Sequence, residues 1–143
     1  MEQDASRRLQ DVLDREIEVA QSLAAALAAE RAALTGDSTE AVEQKAAEKI
    51  QILALIEKLE AERRDLCATP GSVGLAATVA ERWRALMELM AGCRMANDVN
   101  GHIIHARQHQ IRQLIDIVRG GPAMTYGPQG KTFAKALRAL ARA

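Results

Sequence analysis

His102, His105 and His109 recur at spacings of three and four, so on a helix they share one face and could offer three imidazoles to a metal ion. At about 100° per residue, however, they lie roughly 130° or more from the apolar seam through Asn100, Ile104, Arg107 and Ile111. No acid or cysteine is spaced to complete a site, so they read as a polar, solvent-facing stripe, and no metal or cofactor is expected. Cys67 and Cys93 read as two small buried apolar groups rather than as a disulfide. The carboxylates alternate with lysines and arginines on helix surfaces, where nothing raises a pKa for acid or base work. No hydrolase triad or phosphate loop is present. An enzyme is not expected.

What remains is a pattern for holding and binding. Stepping three and then four from Trp83 passes through Leu86, Met90, Cys93, Asn97, Asn100, Ile104, Arg107, Ile111, Leu114 and Val118, a heptad stripe on one long helix. Its middle holds two amides, Asn97 and Asn100, followed by Gly101. A polar residue in such a seam commonly fixes register, and a glycine can let a neighbouring helix approach closely. Asn97, Asn100 and Gly101 therefore read first as a structural motif, with direct contact to a partner as the alternative.

The elements that would position this stripe are helices. The chain has 143 residues, 48% hydrophobic but only 2% aromatic, with zero net charge. Such a composition suits closely packed helices and gives no overall bias toward nucleic acid. The N-terminus lacks a secretory signal and no apolar run approaches the roughly 20 residues of a membrane span. The chain reads as soluble and cytoplasmic, without membrane insertion.

A first helix is expected from about Gln3 to Leu34, with Leu13, Ala20, Leu27 and Leu34 at heptad spacing and Leu9, Ile17 and Ala24 on the same face. Thr35 to Ser38 makes a turn, and Asp37 with Glu40 has capping-box spacing. A second helix, about Ser38 to Cys67, carries a broad apolar face of Val42, Ala46, Ile52, Leu53, Leu55, Ile56, Leu59 and Leu66. It is expected to contact two neighbours and to run antiparallel to the first. Thr69 to Gly74 permits another reversal. The third helix starts between Ser72 and Thr78, with Thr78 and Glu81 as a second capping box, and runs to Arg119 before Gly120-Gly121-Pro122. Because it is the longest, its last turns should project past the Gly36 turn, leaving Ile104, Ile111, Leu114, Ile115 and Val118 in or near an overhang. The expected fold is thus all-α, an elongated antiparallel bundle of three long helices. Residues 1–121 form one domain, and residues 122–143 a Gly/Pro hinge and a short amphipathic segment.

In that segment Phe133, Leu137 and Leu140 are spaced by four and three, among Lys131, Lys135, Arg138 and Arg142. It is too short to be stable alone, so it folds on a partner or stays mobile until one arrives. Four positive charges with a single aromatic are weak evidence for a nucleic-acid or membrane surface, and a helix docking on another protein fits better.

The chain resembles the FlgN-type flagellar export chaperones. The resemblance rests on Asn97-Asp98-Val99-Asn100-Gly101-His102-Ile103-Ile104, similar to that family's N-x-x-N-G-x-x-I pattern, and on Thr125-Tyr126-Gly127-Pro128-Gln129-Gly130, similar to its Y-G-x-x-G linker. It implies a helical cytoplasmic chaperone of flagellar type III export that binds the hook-filament junction proteins FlgK and FlgL. Such a chaperone would prevent their premature assembly and hand them to the export gate protein FlhA. Carried to this chain, it makes Phe133, Leu137 and Leu140 client anchors and Tyr126 a contact for the gate, while the overhang supplies Ile111, Leu114 and Val118. The competing expectations are a structural coiled coil in which the same stripe forms a homo-oligomer, or a type III chaperone of another class. Monomer and homodimer both remain open.

Overall fold

The computed structural model describes residues 2–68 and 75–120. Three helices account for nearly all of them: α1 (Glu2–Leu34), α2 (Thr39–Ala68) and α3 (Leu75–Val118). No strand occurs among the described residues. The reversal at 69–74, the hinge with Tyr126, and the segment carrying Phe133, Leu137 and Leu140 lie outside them.

Local chemistry sets the helix ends. No Gly or Pro interrupts α1, which runs without a breaker to the Gly36 turn. At the start of α2 the Ser38 hydroxyl accepts the Ala41 amide at 3.1 Å, so Ser38 is the cap. The box expected from Asp37 and Glu40 does not form because the helix begins one residue later. Thr78 likewise cannot cap α3, since that helix already includes it. Gly120, at φ 82°, takes the left-handed conformation that ends α3, and its amide donates to the Ile117 carbonyl at 3.1 Å.

The cross-helix hydrogen bonds give the topology. Ala20 with Cys93, Leu27 with Asn100 and Leu34 with Arg107 all have a sequence separation of 73, so α1 and α3 run parallel and in register. Glu30 meets Lys49 at a separation of 19 and Glu16 meets Arg63 at 47, the changing offset of an antiparallel pair. The arrangement is up-down-up.

α1 is the helix shared by both neighbours: α2 and α3 each pack along it and hardly touch one another. The expectation that α2 is the shared helix is overturned. On α1 the residues Leu9, Val12, Leu13, Ala20, Leu23, Leu27 and Leu34 are all buried, whereas on α2 only Leu59 is, and Ile50 and Leu55 stay 64% and 44% exposed. One core cluster joins Leu9, Leu13, Ala20, Val79 and Leu86, and a second joins Leu23, Leu27 and Cys93. The side chains of Leu13, Leu27 and Leu59 are almost wholly removed from water, each contributing about 1.5–3 kcal/mol.

The heptad stripe of α3 splits between two duties. Leu86, Cys93 and Asn100 are buried against α1, while Trp83 and Asn97 are exposed on the side toward α2. Trp83 is therefore no core residue, at 40% exposure.

Candidate functional site

Two polar ties hold the three helices in register, and they lie two heptads apart on each helix. In the first, the Glu16 carboxylate of α1 accepts from Nε of Arg63 on α2 at 3.0 and 3.2 Å. The Arg63 guanidinium in turn stacks 4.5 Å from the centre of the Trp83 ring on α3. Burial pushes the Glu16 carboxyl above its ordinary range; Arg63 opposes that shift and the nearby Glu60 adds to it.

The second tie is built on the asparagines. Asn100 is 0% exposed, and its Nδ2 donates to the Leu27 carbonyl and to Glu30 Oε1, both at 2.9 Å. Its Oδ1 accepts from Arg31 Nε at 2.9 Å. The same Glu30 carboxylate, buried, receives Lys49 Nζ of α2 at 2.9 Å, and that ammonium also donates to Asn97 Oδ1 at 3.2 Å. Every polar end of a buried amide and a buried carboxylate is thereby matched, which is the condition for keeping such groups in a core. Asn97 itself is exposed. Gly101 does not serve close packing: a Cβ there would meet nothing within 4 Å.

The hairpin stops at Arg107. Its guanidinium donates to the Leu34 carbonyl at 2.5 Å and the Gly36 carbonyl at 3.5 Å, a positive group placed on the free carbonyls that end α1. Residues 108–118 extend past that turn by about 16 Å at 1.5 Å per residue. Asn100 therefore lies inside the packed region, and the join between packed and projecting helix falls seven residues later than Asn100, at Arg107, rather than at the Asn97-Asn100-Gly101 interruption. Within the projection Ile111 is 48%, Ile115 41% and Val118 68% exposed, while Leu114 is half-buried and Ile117 buried.

His102, His105 and His109 are all exposed, and among the described residues no group of three or more His, Cys, Asp or Glu is placed to hold a metal. Cys93 is buried, with its thiol donating to the Ala20 carbonyl at 3.6 Å and its pKa raised by burial. Cys67 departs from the expectation: it is exposed, because α2 presents only a narrow face to α1. Cys93 is in no disulfide. No described helix is long and apolar enough to cross a membrane.

The sequence pattern placed Arg107 on the seam without showing what it binds, and it missed Arg31, Glu16 and Glu30. Their signal was available in the heptad positions of the two carboxylates on α1, Glu16 a heptad before Leu23 and Glu30 a heptad after it, where a buried acid demands a partner.

In comparison with known proteins, no curated protein and no solved structure matches this chain. The family model described as FlgN protein matches residues 1–133, which takes in all three helices, both quoted motifs and Phe133. A match over that much of the chain, on a three-helix frame carrying the N-x-x-N-G pattern, places the chain in the FlgN family of flagellar export chaperones.

Proposed function

We propose that this chain is a cytoplasmic chaperone that binds the hook-filament junction proteins FlgK and FlgL, keeps them from assembling early, and delivers them to the export gate protein FlhA. The observation that supports this reading best is the projection of α3 beyond Arg107, with Ile111, Ile115 and Val118 exposed on a helix that has no hairpin beside it. An apolar helical strip of this kind suits an amphipathic client helix. In this reading Ile111, Leu114 and Val118 form one side of the client contact, Phe133, Leu137 and Leu140 the other, and Tyr126 meets the gate. A segment that orders on binding gives moderate affinity and permits release at the gate.

The test is co-elution of the full chain with FlgK and with FlgL, repeated with Leu114→Asp and with residues 123–143 removed. Both changes should abolish co-elution while leaving helical content nearly intact. Undiminished capture by the truncated chain would remove the tail from the account. The competing reading, a homo-oligomer joined through the same strip, predicts instead that Leu114→Asp halves or further reduces the particle mass in solution.

A further inference from the structure

Because α2 and α3 both pack on α1 and hardly on each other, a groove runs between them with α1 as its floor. It is bounded at one end by Arg63 against Trp83 and at the other by Lys49 against Asn97, about 21 Å apart along α3. Two cavities of about 360 and 100 Å³ lie in it, and Arg94 lines both. The apolar part of the walls is Ile56 and Leu53 on α2 and Trp83, Met87 and Met90 on α3. Leu53, Trp83 and Met87 remain 39%, 40% and 40% exposed. Unbranched methionines adapt to differing surfaces, and Trp and Arg are the residues that most often anchor helical partners.

The charges along the groove are balanced with one exception. Lys49 is held by Glu30, and Arg63 by Glu16 and Glu60. Arg94, which lines both cavities and lies one turn from Asn97, makes no ion pair or hydrogen bond among the described residues. A helix entering here meets apolar walls and one unmatched cation. The chain's own C-terminal segment, with Lys131, Lys135, Arg138 and Arg142 and no acid, would bring like charge to that position.

We propose that the α2/α3 groove is a docking surface for an acidic amphipathic helix of another protein, which would lie between α2 and α3 as a fourth helix and set a carboxylate against Arg94. The surface is separate from the overhang, which begins beyond Arg107, and stands or falls independently of it.

Trp83 is the only tryptophan in the chain, so its emission reports this groove alone. The probe is a tryptophan-free synthetic helix of about 18 residues with leucines at i, i+3, i+7 and i+10 and flanking glutamates. A matched helix has lysines in place of the glutamates. With the full-length chain, the glutamate helix should shift Trp83 emission to the blue and saturate. Arg94→Glu should weaken that binding about tenfold or more and strengthen binding of the lysine helix. Met87→Glu and Leu53→Glu, both at exposed positions, should abolish the shift with helical content unchanged. The proposal is overturned by an unsaturable or absent shift, or by equal binding of the two helices to the unaltered chain. It is also overturned if removing residues 121–143 moves the resting emission to the red, which would make the chain's own tail the occupant. A resting emission that depends on protein concentration and loses that dependence in Met87→Glu would overturn it in favour of a second copy.

Discussion

At Asn100 the amide is fully engaged: its nitrogen serves the Leu27 carbonyl and the Glu30 carboxylate, and its oxygen takes Arg31. Replacing it by alanine takes one partner each from the buried Glu30 carboxylate, the Leu27 carbonyl and the Arg31 guanidinium, so Asn100→Ala should cost about 2–4 kcal/mol in urea unfolding. Asn97→Ala, which loses one exposed 3.2 Å contact to Lys49, should cost less than about 1 kcal/mol. Equal effects at the two positions would contradict this division. At Glu16 the sign of the pH dependence follows from burial. Its native carboxyl is raised above the ordinary value of 4.5, so the native state holds the proton more readily than the unfolded chain. That contribution is fully present below 4.5 and is lost as pH rises through the native value. Measured against Glu16→Gln, the unaltered chain should therefore gain relative stability as pH falls from neutral toward that value. A relative loss over the same range would reverse the assignment. The sequence made the asparagines legible as a seam feature because they break an apolar stripe. It did not make their partners legible, since Arg31 and Lys49 reach them from other helices and nothing in local spacing identifies such a pair.

Among the elements, α1 departs furthest from its pattern. A heptad of Leu13, Ala20, Leu27 and Leu34 suggested a single buried face, yet Val12, Leu23, Glu16 and Glu30 bury a second one. Two carboxylates interrupt that second stripe and hide it from an apolar count, while α2 carries enough leucine and isoleucine to look like the middle helix. Burial followed the number of neighbours rather than the number of apolar residues. Helix lengths, the order of the turns and the stop at Gly120 were legible because Gly and Pro act locally. Gly101 is the informative glycine of α3. With nothing within 4 Å of its Cβ position, Gly101→Ala should raise stability by about 0.5–1 kcal/mol through helix propensity alone. Thermal unfolding of that variant checks it: a lower midpoint would mean that the position is crowded after all.

For the molecule as a whole, register divides labour along α3. The offset of 73 that aligns Ala20 with Cys93 and Leu34 with Arg107 leaves α1 nothing to contribute beyond residue 107. The overhang was legible from lengths alone, because a third helix longer than its hairpin must outrun it. Where it begins was not, since that depends on the Arg107 contacts that close the end of α1. In the proposed function the chain folds up to Arg107 and binds beyond it. Calorimetric titration of FlgK and FlgL into Ile111→Asp/Val118→Asp, alongside its urea midpoint, tests that most directly. Both side chains are exposed, so stability should change by less than about 0.5 kcal/mol while affinity falls tenfold or more. Unchanged affinity, or a midpoint that falls in step with it, would mean that the projection is not the client-binding surface.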